Sequence, residues 1–217
     1  MINLLIGSNG VIGRQIAEYL NKKGVISVNL SAKQITSLKQ ENLKDFVDSK
    51  LTANLEDYKE EDFSLILTHR FREGTMKDIV INELLITREL PWMLSTKCSS
   101  LKVIVIGSVT GRQVSLNQPE HYHYAKDLQK SIVRQSIRKE NISMNLIELS
   151  SFNKYKDEDG SKEYKENLKK QGELIGQKNL VCVQDIANYA YTLITMKNPP
   201  RGQILTYDGG YSLHQRD

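Results

Sequence analysis

The sequence predicts one doubly wound α/β domain, a parallel sheet with helices on both faces. Three observations predict it. Short apolar runs of strand length alternate with helical patterns along the whole chain. A glycine cluster stands between the first strand and the first helix. The 217 residues suffice for one well-buried core, and 39% hydrophobic with 26% charged residues is an ordinary globular composition.

The first apolar run, Ile2 to Ile6, stops at the glycines and restarts as a helix carrying Ile16, Ala17, Tyr19 and Leu20. Gly24 stands where a helix C-cap glycine is expected, and a strand at Val25 to Val28 completes a βαβ unit. Polar helical sequence runs to about Val47, a short strand is expected near Leu51 to Leu55, and Phe63 to Thr68 reads as a buried strand. Helical periodicity covers Met76 to Leu94, with Pro91 expected to kink or end it. Leu101 to Ile106 is the most apolar strand. A helix from Tyr122 to about Arg138, a strand at Ser143 to Leu149, a helix from Val183 to Met196 and a strand at Gln203 to Tyr207 complete the alternation. The charged segment 153–175 reads either as a mobile substrate lid within the domain or as a solvated surface helix.

The formal net charge is +4, but the charges are interspersed, which argues against a nucleic-acid partner. Two separated cysteines, Cys98 and Cys182, imply neither a disulfide framework nor a zinc site and suit a reducing compartment. Apolar runs are too short to span a bilayer and no export signal is legible, so a cytoplasmic protein is expected.

Gly7, Ser8, Asn9, Gly10, Val11, Ile12 and Gly13 form a strand-to-helix turn of the kind that binds a dinucleotide. Glycines permit a tight turn, backbone approach to a pyrophosphate and close helix packing, and amides at the helix start favour an anion. This makes the fold Rossmann-like. Where NAD-preferring members place an acidic residue after the second strand, this chain has Asn29, with Ser31 and Lys33 beyond. Those donors suit a 2′-phosphate, so NADP is favoured over NAD.

Ser108 closes the most apolar strand, and Tyr122 and Lys126 are spaced i, i+4 on one helix face. A nearby ammonium stabilises a phenolate, so such a pair can move a proton to or from a carbonyl oxygen while a serine hydroxyl holds that oxygen. His121 and His123 flank Tyr122, but an i, i+2 pair diverges on a helix and no further ligands complete a set, so no metal is expected.

Glycine turn, Ser108, Tyr122 and Lys126 occur in one order over nearly the full length, and there the chain resembles the short-chain dehydrogenase/reductase family in its compact, single-domain type. The resemblance implies an NAD(P)-dependent oxidoreductase moving hydride between nicotinamide and a carbonyl or secondary alcohol, with Tyr122 as general acid/base. It implies that Asn82 completes a tetrad by holding a water that links Lys126 to solvent, and that Lys126 bonds the nicotinamide ribose. Residues 202–211 look like the family's last strand and turn.

The chain departs from the family in places. Thr68-His69-Arg70-Phe71-Arg72 replaces Asn-Ala-Gly, Leu149-Ser150-Ser151 replaces a Pro-Gly turn, and Asn54 stands nearest to the aspartate that contacts adenine. Thr68 is expected at the cofactor, and His69, Arg70 and Arg72 at an anionic or sugar-linked substrate. Two other functions fit the same features: a non-catalytic NAD(P)-binding regulatory or scaffold protein, and a nucleotide-sugar epimerase or dehydratase. Apolar residues on several faces of the Met76 and Tyr122 helices predict a homodimer or homotetramer.

Overall fold

The structure, a computed structural model, describes residues 1–37, 42, 45–46, 63–71, 73–109, 119–150, 166, 169–170 and 181–208. In order these form β1 (Ile2–Ile6), α1 (Val11–Lys22), β2 (Ile26–Leu30), α2 (Ala32–Thr36) and β3 (Phe63–Leu67). There follow α3 (Met76–Leu84), a π turn (Leu85–Glu89), α4 (Leu90–Ser95), β4 (Leu101–Ser108), α5 (Glu120–Gln135), β5 (Ile142–Leu149), α6 (Val183–Thr195) and β6 (Ile204–Thr206). The strand expected near Leu51 to Leu55 and nearly all of segment 153–175 lie outside the described residues, as do Asn54 and Arg72.

The described strands make one parallel sheet in the order β2-β1-β3-β4-β5-β6. The order reverses between β1 and β3, the switch point at which doubly wound sheets open a crevice at their strand C-termini. Burial on both faces explains why β1, β3 and β4 are mostly apolar instead of alternating, with only Asn3, Ser64 and Lys102 interrupting before the glycine and serine that close β4. On one face Leu4, Leu65, Val103 and Leu146 pack with Ile86, Leu90 and Leu94 of the central helix and Ile132 and Val133 of α5. On the other, Leu5, Ile66, Ile104 and Ile147 pack with Ile16 and Leu20 of α1 and Ile186, Ala190 and Ile194 of α6.

Several boundaries differ from the sequence reading by a residue or two, and three of the differences have a physical reason. β2 runs from Ile26 to Leu30, because those residues pair one to one with Ile2 to Ile6, so the strand carries Asn29 within it. Helix α5 begins two residues before Tyr122 and finishes in a 3-10 turn, Ser136–Arg138. Pro91 does not end its helix. A proline ring in a helix crowds the carbonyl four residues back, here Thr87. The π turn widens the spiral at that point, with the Leu90 amide donating to the Leu85 carbonyl, and α4 continues to Ser95.

Candidate active site

The glycine turn is built by close approach to β2 and β3. The amides of Gly7 and Ser8 donate to the Leu30 carbonyl at 2.8 and 3.3 Å. The Thr68 hydroxyl lies 3.0 Å from both the Ile6 and Gly7 carbonyls, which fastens the turn to the end of β3. Gly7 has φ +91°, and a Cβ there would lie 2.7 Å from Thr68 Oγ1 and 2.9 Å from the His69 nitrogen, so only glycine fits. A Cβ on Gly13 would strike the Gly7 carbonyl and sit 2.9 Å from Ser8 Cα.

Gly10 differs. Its φ of −76° and ψ of 164° suit any residue, and a Cβ there meets only the Gly7 oxygen, at 3.5 Å. It is the N-cap of α1, with no side-chain capping bond and no acidic residue in the first turn. The opening amides of α1, from Val11, Ile12 and Gly13, therefore receive no side-chain cap. Asn9, Gly10 and Val11 are exposed beside them. This is a cradle that a side chain at position 10 would fill, and it has the donor set for a pyrophosphate.

At the end of β2, Asn29 is exposed, and its Oδ1 accepts from Ser27 Oγ at 3.1 Å. Ser31 is the N-cap of α2 in a capping box: its hydroxyl lies 3.0 Å from Gln34 Oε1 and accepts the Gln34 amide at 3.3 Å. Lys33 is exposed on α2. Of the three residues expected near a ribose phosphate, Ser31 is thus already engaged in starting a helix.

Ser108 ends β4, half-buried and paired with Leu149 of β5. Tyr122 and Lys126 are buried on the inner face of α5, at 7% and 3% exposure. Lys126 Nζ lies 5.5 Å from the centre of the Tyr122 ring, and the Arg70 guanidinium carbon lies 5.2 Å from it. Both distances are within cation–π range. Arg70 is exposed, at the edge of the site. His69, expected to face a substrate, is instead buried at 3% exposure, because its ring is drawn inward by a carboxylate.

That carboxylate is Glu83, which the sequence reading passed over. Its Oε1 lies 2.7 Å from His69 Nε2 and accepts from Thr87 Oγ1 at 2.5 Å and Gln129 Nε2 at 2.8 Å. Gln129 Oε1 in turn accepts from Lys126 Nζ at 3.0 Å. Burial pushes the Glu83 carboxyl up, but His69, Lys126 and the Thr87 hydroxyl outweigh it and hold the group below its ordinary value. Asn82 is half-buried one position earlier, and among the described residues the chain of side-chain hydrogen bonds reaching Lys126 comes from Glu83.

One signal in the sequence pointed here. The buried positions of α5 are Tyr122, Ala125, Lys126, Gln129, Lys130, Ile132 and Val133, so polar residues occupy the inward stripe of the helix. Lys130 pairs there with Glu148 of β5 at 2.8 Å, both buried.

No protein-family model matches the chain, and no curated protein matches it in sequence. Solved structures do match its fold. A short-chain dehydrogenase/reductase of Brucella melitensis, described as a glucose/ribitol dehydrogenase, is 17% identical, with a TM-score of 0.72 over 97% of this chain and 96% of that one. The 3-alpha-hydroxysteroid dehydrogenase of a Pseudomonas species, solved with NADH, is 13% identical, with a TM-score of 0.70 over 100% of this chain and 98% of that one. A small-chain dehydrogenase in complex with NADPH is also 13% identical, with a TM-score of 0.70 over 98% and 99% of the two chains. The protein has the short-chain dehydrogenase/reductase fold over its whole length.

Proposed function

We propose that the protein is an NAD(P)-dependent oxidoreductase of short-chain dehydrogenase/reductase type, acting on a carbonyl or secondary alcohol. The observation that carries the reading is the buried Tyr122 and Lys126 pair, with Nζ 5.5 Å from the ring, in a fold that also builds an uncapped glycine turn. The solved NADH and NADPH complexes of the same fold support a nicotinamide cofactor.

In this reading the turn from Gly7 to Gly13 holds the pyrophosphate, and Thr68 braces it from β3. Asn29 and Lys33 meet the adenosine ribose, which favours NADP because neither carries negative charge; Ser31 contributes less, its hydroxyl being used by Gln34. Asn54 contacts adenine. When bound, the cofactor supplies or takes up the hydride. Tyr122 gives a proton to the carbonyl oxygen, or takes one from an alcohol, Ser108 holds that oxygen, and Lys126 stabilises the phenolate and bonds the second ribose. Asn82 keeps the water-holding role that the resemblance gives it. The exposed Arg70 beside Tyr122 favours a substrate with an anionic group.

Ile81 on α3 and Tyr124 on α5 are half exposed, at 50% and 52%, which supports self-association through these helices in a cytoplasmic dimer or tetramer. Titration with NADPH and NADH, read by fluorescence on wild type and Lys126→Ala, tests the reading. The expected result is binding that weakens in the variant. A folded wild type that binds neither cofactor refutes it, and with it the alternative of an NAD(P)-binding scaffold.

A further inference from the structure

The buried charge beside Lys126 has no counterpart in the chemistry assigned so far. Glu83 is 1% exposed, and an isolated carboxylate at such a depth costs several kcal/mol unless it is paired and hydrogen-bonded. Here its Oε1 takes three partners, from the loop after β3 (His69), from the helix's own next turn (Thr87) and from α5 (Gln129). The Gln129 amide is oriented by this arrangement. With its Nε2 donating to Glu83, its Oε1 is turned towards Lys126 Nζ, which donates to it at 3.0 Å.

We propose that Glu83 is a positioning residue for Lys126: through Gln129 it fixes the ammonium beneath the Tyr122 ring, and its carboxylate is the buried counter-charge to that ammonium. The proposal rests on the reading of Tyr122 and Lys126 as the acid/base pair. A lysine stem is flexible, and an ammonium held at one place by a hydrogen bond serves a phenolate or a ribose better than one free to swing away.

Among the described residues the charged and titratable groups around Lys126 are few. On its own helix are Tyr122, the exposed Asp127, and Lys130, which is paired with Glu148 of β5. From α3 comes Glu83, and from the loop after β3 come His69, bonded to Glu83, and Arg70 over the Tyr122 ring. Glu148 is engaged by Lys130 at 2.8 Å. Glu83 is therefore the carboxylate connected to Lys126 by hydrogen bonds.

The test is the side-chain ammonium resonance of Lys126 in nitrogen-detected NMR of the whole protein, assigned by its loss in Lys126→Ala. The ammonium of Lys130, held by Glu148, serves as the internal check on folding. In Glu83→Gln the ammonium protons of Lys126 are expected to exchange at least about tenfold faster while the signal of Lys130 persists. Should Glu83→Gln not fold, Gln129→Met decides: it cuts the bridge and leaves both charges. There the ammonium protons of Lys126 are expected to exchange at least about tenfold faster, the scale of one charge-assisted hydrogen bond. A Lys126 signal unchanged in either folded variant overturns the proposal. Cofactor titration of Lys126→Ala separates the two ideas. Undiminished binding there refutes the oxidoreductase reading, whereas weakened binding with an unmoved resonance refutes only the role of Glu83.

Discussion

Gly10→Ala separates the fold of the glycine turn from its use. At this position the backbone is extended, and the added methyl meets only the Gly7 carbonyl oxygen at an ordinary 3.5 Å. Alanine is a poorer N-cap than glycine by some tenths of a kcal/mol, while the loss of unfolded-state freedom returns about 0.4–1 kcal/mol, so stability should change by less than about 1 kcal/mol. In the proposed reading a pyrophosphate rests against the uncapped amides at the exposed start of α1, where the added methyl would stand. Losing one hydrogen bond to a charged group costs about 1.5–3 kcal/mol, which is roughly a ten- to hundredfold weaker Kd. Thermal unfolding and a fluorescence titration with NADPH and NADH measure the two effects on the same sample. Gly13→Ala is the contrast: its methyl strikes backbone, so folding and binding should fail together. A folded Gly10→Ala protein that binds the cofactor as tightly as wild type would show that the pyrophosphate does not rest on this turn.

Lys130→Met should destabilise the protein by about 3–5 kcal/mol, because it takes from the buried Glu148 carboxylate the ammonium 2.8 Å away, and adding Glu148→Leu should restore most of the loss. Urea denaturation of the single and double variants checks this, and a single variant within about 1 kcal/mol of wild type contradicts it. Glu83 titrates below its ordinary value of 4.5 in the folded protein, so its contribution to stability is complete above that pH and is lost as the pH falls through the depressed folded value. Stability measured by denaturant from neutral pH downwards should fall less steeply in Glu83→Gln, and an identical acid limb argues against a charged Glu83. Burial pushes the Cys98 thiol up to about 11, so at neutral pH a maleimide should label Cys98 slowly in native protein and rapidly in urea. Equal rates in both would contradict the burial.

Much of this architecture is local in origin and was legible for that reason. A strand buried on both faces announces itself as an unbroken apolar run, as Val103 to Ile106 does, and the strand-turn-helix around Gly7 to Gly13 depends on residues adjacent in the chain. The spacing of Tyr122 and Lys126 likewise needed only the pitch of one helix. Glu83 was not legible as a site residue, because its burial depends on His69, 14 positions earlier, and Gln129, 46 positions later. Read alone, a glutamate beside Asn82 on a helix is a solvated charge. The loop His69-Arg70 misled for the same reason: two basic residues side by side look alike in sequence, yet one folds inward to a carboxylate and the other lies outward over an aromatic ring. β2 was drawn too short because its partly exposed outer position lets polar Ser27 and Asn29 interrupt the apolar run, although its pairing with β1 continues to Leu30.

The π turn between α3 and α4 has a consequence for how this one helix serves two masters. Upstream of it, Glu83 must face the polar pocket and α5; downstream, Leu90 and Leu94 must face the sheet. A regular helix has a single phase, advancing 100° per residue, and cannot be rotated to suit one half without turning the other. The extra residue of a wide turn resets that phase midway. Deleting any one residue between Leu85 and Glu89 would straighten the spiral, yet swing one half about its axis by roughly a third of a turn relative to the other. Length within this helix is therefore as constrained as side-chain identity.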